Sequence, residues 1–185
     1  MSVSTAFFDQ LYADNSDPWA FRERWYEQRK RAVTLASLPR QHYPAIFEIG
    51  CANGELSAGL AQRTGALLAC DAAARAVDLA RQRLSHCAHV QVHQSRVPEQ
   101  WPEHRFDLIV ISEVAYYLDP KALEELIQLA NDNFRMHQLY AYVKTSNERS
   151  IKLFQCAGFD IVATLKDWIY EDGAYHNVYL LQKFL

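Results

Sequence analysis

The chain has 185 residues, half of them hydrophobic and 22% charged, with a net charge of −3. That suits one soluble domain with a sizeable core and excludes a globally basic surface that would recruit nucleic acid or an anionic membrane. Four scattered cysteines without a C-x-x-C pair exclude a disulfide frame and read as reduced thiols of a cytoplasmic protein, and the histidines, with no H-E-x-x-H, suggest no metal site.

The N-terminal MSVSTAFFDQLYADN carries Asp9 and Asp14 and no basic residue, unlike a signal peptide. No apolar run approaches the roughly 18 residues of a membrane span. Phe7, Phe8, Leu11 and Tyr12 lie at helical spacing and predict a short helix over 4–13, broken by NSDPW. A longer helix is expected over 24–38, with Trp25, Val33, Leu35 and Leu38 supplying apolar contacts and Pro39 and Pro44 beyond its end. The charges from Arg22 to Arg31, interleaved with Glu23 and Glu27, read as a solvated helix face.

Strands and helices then alternate. AIFEIG (45–50), ALLACD (66–71), HVQVH (89–93) and FDLIVIS (106–112) read as strands. The stretches 55–63, 73–84 and 121–134 read as helices. This alternation with continuous apolar strands predicts an α/β fold: a Rossmann-like, three-layer α/β/α arrangement, mostly parallel. LYAYV (139–143) is a further strand and NERSIKLFQCAG (147–158) a helix ended by Gly158. Two long strands close the chain, joined at Asp172-Gly173, a hairpin signal that makes the end of the sheet antiparallel.

The chemistry gathers in E-I-G-C-A-N-G, Glu48 to Gly54, between the first strand and its helix. A doubly wound fold binds nucleotides at that turn. Gly50 allows a tight turn and close backbone approach, and Gly54 opens a helix whose free N–H groups favour an anionic group. Asp71 ends the second strand roughly 20 residues on, where a carboxylate can accept hydrogen bonds from both ribose hydroxyls. Loop and aspartate together point to nucleotide binding.

E-x-G-x-x-x-G, the aspartate after strand two and FDLIVISEVAYYL at strand four resemble the class I S-adenosylmethionine (SAM) methyltransferases. More narrowly, FFDQLYADNSDPW, WYEQRK, FEIGCANGELSAGLA and FDLIVISEVAYYL resemble the nodulation protein S (NodS) family, over about residues 1–125. That resemblance implies methyl transfer to an amine on a chitin-oligosaccharide precursor, with SAM as cofactor and S-adenosylhomocysteine (SAH) as product. It implies that Glu48, ahead of the loop, belongs to the cofactor site, that Gly50, Cys51, Ala52 and Gly54 line the methionine end and that Asp71 holds the ribose. The segment after strand three would flank adenine; Arg96 stands where the family tends to have aspartate, leaving Gln94, Ser95 and the Val97 backbone as candidates. Trp19, Tyr26 and Arg31 belong to the N-terminal segment that covers the cofactor in such enzymes; core packing or surface is the other reading of Tyr26 and Arg31. Glu113, Tyr116 and Tyr117 follow strand four, where the substrate should arrive. Glu113 is the candidate for orienting substrate or removing its proton, with Tyr116 beside it; Glu113 could equally be an acid at a helix N-terminus.

The last third departs from that family, with no L-x-P-G-G-like turn before strand five. L-Y-A-Y-V, N-x-x-S-I-K-L-F-x-x-x-G-F and W-x-x-E-D-G-x-Y-H-N-V-Y resemble the C-terminal part of the GNAT acetyltransferase superfamily, over about residues 126–185. The junction falls inside a helix, so the sequence reads as an engineered chimera: a single domain, 1–125 methyltransferase-like and 126–185 a β-α-β-β fragment completing its sheet. The acetyltransferase phosphate loop is absent, Phe154 stands where many members have a proton-donating tyrosine, and Asn147, a pantetheine-contacting position there, reads better as a helix N-cap. Acetyl transfer is therefore not expected. The alternative to a SAM-binding protein is an inert recombined scaffold. Ser112-Glu113-Val114-Ala115 in place of an N-P-P-Y-like tetrapeptide argues against nucleic-acid methylation. A monomer or weak homodimer is expected.

Overall fold

The structure is a computed structural model that describes residues 4–114, 117–134, 138–171 and 173–185. The chain divides into two compact units, Val3–Val114 and, chiefly, Ala115–Leu185. Tyr116 and Asp172 lie outside the described residues.

In the first unit α1 (Thr5–Asp14) starts where Ser4 accepts the Phe7 N–H, and α2 spans Trp25–Ser37. Then follow β1 (Tyr43–Ile49), α3 (Glu55–Ala61), β2 (Thr64–Asp71), α4 (Ala74–Arg83), β3 (Val90–Gln94) and β4 (Leu108–Ile111). The sheet order is β3-β2-β1-β4, all parallel. It reverses direction of growth between β2 and β4, on either side of β1, and a doubly wound fold places its ligand crevice at such a point. Strand alternation sends Ile46 into a core with Leu60, Leu67, Ala69, Val77, Ala80 and Val92. Each large aliphatic side chain buried there contributes about 1.5–3 kcal/mol. Phe47 points to the opposite face and packs on Phe106 and Trp101, with ring centroids 5.1 and 5.5 Å away. Asp107 fixes β4 beside β1: its N–H donates to Ala45 O (2.9 Å) and its Oδ2 accepts the Ala45 N–H (3.0 Å).

The second unit holds α5 (Pro120–Phe134), β5 (Gln138–Lys144), α6 (Glu148–Cys156), β6 (Asp160–Glu171) and β7 (Ala174–Phe184). Its strands form a separate antiparallel sheet, β5-β7-β6, where chain order alone had suggested a continuation of the first. The last strand, β7, lies between β5 and β6 and is antiparallel to both, the antiparallel end that the Asp172-Gly173 signal predicts. Leu123, Ile127, Val143, Leu153, Phe154, Phe159 and Leu181 make the core of this unit. The long β6 slips register twice, between Ile161 and Ala163 and between Leu165 and Ile169. Near the second slip Asp167 takes a φ of +51° and its N–H donates to Asn177 Oδ1.

Asn147 caps α6, its Oδ1 accepting the Ser150 N–H at 3.1 Å. Asn147→Ala should lower the unfolding free energy by about 1 kcal/mol, read as a fall in thermal midpoint of roughly 2–4 °C. Beyond Ala157, Gly158 at φ +83° ends the helix.

Candidate functional site

The loop that leaves β1 is shaped by positive φ at Gly50 (+74°), Ala52 (+50°) and Gly54 (+80°). A Cβ on Gly50 would lie 2.0 Å from Val114 Cγ2, so Val114, just past β4, needs the bare backbone there. A Cβ on Gly54 would stand 3.1 Å from Ala80 Cα, so this glycine sets the close approach of the loop to α4. Gly50 and Cys51 both donate their N–H to Cys70 O, at 2.8 and 2.9 Å, which locks the loop to the tip of β2.

Asp71 completes the lock. Its Oδ2 accepts the Ala52 N–H at 3.0 Å and its Oδ1 the Ala73 N–H at 2.9 Å. Burial raises its proton affinity and the backbone N–H bonds pull it back. An ionised carboxylate offers about four acceptor positions. The Ala52 and Ala73 N–H groups use two of them and the Ala72 N–H also acts on the carboxylate, so acceptor capacity remains for a ribose hydroxyl. Ser95 N–H donates to Asp71 O, and Gln94 Nε2 to Ala72 O, so the segment after β3 lies alongside this carboxylate's main chain.

Glu48 occupies a different position from the cofactor-site role implied for it. It faces the same side of β1 as Ile46, towards Ser57 of α3, and is only 2% exposed. Burial pushes its carboxyl up to about 7, with the Asp71 charge adding to the effect. The Ser57 hydroxyl alongside softens the shift without forming a well-aligned hydrogen bond; Glu48 Oε2 and Ser57 Oγ have no partner among the described residues. Cys51 and Cys70 are also buried, and desolvation drives the first thiol well up and the second to about 12. Both are protonated and inert at neutral pH.

The N-terminal segment reaches the loop. Trp19 and Ala52 both pack against the buried cluster of Tyr12, Ala73 and Ala76, and Trp19 meets Tyr12 edge-on with centroids 5.6 Å apart. Arg31 Nη1 donates to Phe21 O, fastening α2 to that segment. Tyr26 lies beneath the Lys30 ammonium, 5.4 Å from its ring centroid. Lys30 also pairs with Glu27 (2.8 Å) and Glu113 (3.7 Å). The basic run expected to be a solvated face is thus partly engaged in tertiary contacts. Its charges sit close to loops that carry carboxylates and free carbonyls, which helical periodicity does not register. Glu113 follows β4 with φ +61°. The next α-helix, α5, begins at Pro120, and residues 115 and 116 between them lie outside the described residues. Arg96 Nε lies 3.5 Å from Glu99, its N–H donates to Gln100 Oε1, Ser95 Oγ bonds Gln100 O, and Val97 is buried.

Sequence reasoning missed Asp17, Asn53 and Glu55. Asn53 Nδ2 donates to Asp17 Oδ1 at 3.0 Å. Glu55, the first residue of α3, receives Arg22 Nε at 2.8 Å and Arg83 Nη2 at 2.6 Å. Asp17 looks like a helix-breaking residue of NSDPW, and nothing local in the sequence pairs it with Asn53.

Comparison with known proteins decides the family. The model of the nodulation protein S (NodS) family matches residues 8–139. The chain belongs to the nodulation protein S family. Nodulation protein S of Rhizobium tropici is 36% identical over 110 residues, which is 59% of this chain and 45% of that protein. The Sinorhizobium fredii protein is 33% identical over 107 residues, 57% of this chain and 50% of that one. The chain therefore spans about half the length of the curated relatives it matches. Among solved structures, the N-methyltransferase NodS from Bradyrhizobium japonicum WM9 in complex with SAH superposes with a TM-score of 0.74 at 20% identity, covering 97% of each chain. A protein from Pseudomonas syringae, provisionally described as a methyltransferase, is 42% identical, with a TM-score of 0.60, 86% of this chain and all of that one covered. The fold is that of the α/β methyltransferases. No helix among the described residues is long and apolar enough to cross a membrane.

Proposed function

We propose that this NodS-family protein binds SAM and SAH at the Gly50 loop and transfers the methyl group to a small amine of amino-sugar type. The observation that carries the reading is Asp71: a carboxylate at the tip of β2, oriented by backbone N–H groups of the Gly50 loop and of the chain that follows it, with acceptor capacity left for a ribose hydroxyl. The sulfonium of the cofactor supplies an already activated methyl group. The chain has only to seat the cofactor, exclude water and hold a neutral amine in line. Gly50 to Gly54 give the loop its shape, Trp19 shares a buried cluster with the loop residue Ala52, and Glu113, beside Lys30, is the group to orient the amine or take its proton. The NodS structure from Bradyrhizobium japonicum WM9, bound to SAH, supports the choice of cofactor. The four cysteines are free thiols, in keeping with a cytoplasmic protein, monomeric or a weak homodimer.

We further infer that residues from about 126 onward derive from an acetyltransferase, as an engineered graft onto the methyltransferase part. The family match runs past that point to residue 139 and leaves 140–185 unmatched, and the second unit carries the β-α-β-β order of such a fragment after α5. Acetyl transfer is not part of the proposal. Asn147 is engaged as a helix cap and Phe154 is buried against Phe159.

Calorimetric titration with SAH, with acetyl-CoA as control, tests the reading. Micromolar binding of SAH alone is the expected result, and Asp71→Asn should weaken it roughly tenfold, because the amide turns one acceptor into a donor facing a backbone N–H. No heat with SAH, from a protein that unfolds cooperatively, would leave an inert scaffold. Turnover with SAM and glucosamine oligomers then tests the acceptor class.

A further inference from the structure

We propose that Asn53 and Asp17 are positioning residues that latch the N-terminal segment onto the glycine loop, so that an adenosyl ligand meets a preformed cover. This rests on the cofactor reading above for its ligand but not for its geometry. Asp17 is the hub of residues 15–24. Its Oδ1 accepts from Phe21 N–H (2.9 Å), its Oδ2 from Arg22 N–H (3.1 Å), and its own N–H donates to Asn15 Oδ1 (2.9 Å). Its carbonyl accepts the Ala20 N–H (2.9 Å), and its carboxylate takes one long-range bond, from Asn53 Nδ2 at 3.0 Å. A hydrogen bond to an ionised carboxylate is stronger than a neutral one. The turn it holds carries Trp19, which packs with Ala52, the residue before Asn53, against the same buried cluster of Tyr12, Ala73 and Ala76. Arg22, one residue past the turn's carboxylate-bonded Phe21, reaches Glu55 two residues beyond Asn53. The segment is thus tied twice to the loop where it enters α3.

The cost of Asn53 supports a role beyond packing. The side chain is fully buried, and its Oδ1 has no partner among the described residues. A buried polar atom left unpaired is destabilising, and an apolar residue of the same size would avoid it. The amide is explained if its other half is needed, and that half faces Asp17.

Asn53→Leu separates the two roles. Packing alone predicts unchanged or raised thermal stability with unchanged binding. The latch predicts SAH affinity weakened about tenfold with the thermal midpoint little altered, and faster amide hydrogen exchange at Phe21 and Arg22 in the ligand-free protein. The exchanged pair Asp17→Asn with Asn53→Asp keeps one donor facing one carboxylate and should recover both readouts in part. Wild-type SAH affinity and wild-type protection of both amides in Asn53→Leu would overturn the latch. If the unmodified protein gives no heat with SAH, the cofactor reading fails and the exchange of Phe21 and Arg22 decides the latch by itself.

Discussion

Gly50→Ala is expected to abolish SAH binding and to lower the unfolding free energy by about 3 kcal/mol. Two separate terms act. The φ of +74° is left-handed, a conformation that costs an L-residue roughly 1–2 kcal/mol. The new methyl would also stand 2.0 Å from Val114 Cγ2 and 3.3 Å from its Cβ, an overlap relieved only by moving the loop or the chain after β4. Overpacking of this kind typically costs 1–3 kcal/mol, as an order of magnitude. Movement of the loop would break the paired Gly50 and Cys51 bonds to Cys70 O and, with them, the Ala52 N–H that orients Asp71. The terms can be told apart. In a Val114→Ala background the same substitution should lose only the φ term, because the offending Cγ atoms are gone. Gly173→Ala provides the comparison, at φ +81° with nothing within 4 Å of the added Cβ. Denaturant midpoints of the three variants check the arithmetic. Equal losses for Gly50→Ala with and without Val114 would show that the overlap carries no weight.

What could be read from the sequence was local. The glycine loop and Asp71 were legible because each is fixed by its own neighbours: a strand end, a positive φ, a helix start. The helices and strands lay within a few residues of their expected bounds for the same reason, since period and caps are short-range signals. The parts that were not legible depend on residues far apart in the chain. Asn53 and Asp17 are 36 positions apart, and Arg22 and Glu55 33. Both pairs look like solvated polar residues until the fold closes. Glu48 shows the same limit. Its place before Gly50 suggested a cofactor-site residue, whereas the pleat of β1 sends it under the loop towards Ser57. Arg96, the residue that departs from the family pattern, has a local partner in Glu99, which the sequence would have allowed as an i,i+3 pair.

The burial of Glu48 carries a large pH effect around neutrality. Its carboxyl rises from the ordinary value of 4.5 to about 7 on folding. Between these values the unfolded chain has lost the proton and the folded chain still holds it. The folded state therefore binds more protons, and stability falls as pH rises. The loss begins near pH 4.5 and is complete somewhat above pH 7. Each pKa unit corresponds to 1.36 kcal/mol, so the full loss is about 3 kcal/mol. Glutamine mimics the protonated acid and cannot ionise. Glu48→Gln should match the wild type at pH 4.5 and exceed its unfolding free energy by about 3 kcal/mol at pH 8. Asp71, whose proton affinity is also raised by burial, tilts both proteins in the same direction, so the difference between them reports Glu48 together with its charge coupling to Asp71. Urea denaturation of both proteins at pH 5 and pH 8 is the measurement. Parallel curves would mean that Glu48 stays charged in the fold, with a partner for its Oε2. A gap that opens with pH would mean that a neutral acid lies beneath the glycine loop at the onset of neutrality, so that the stability of the proposed cofactor seat declines through physiological pH.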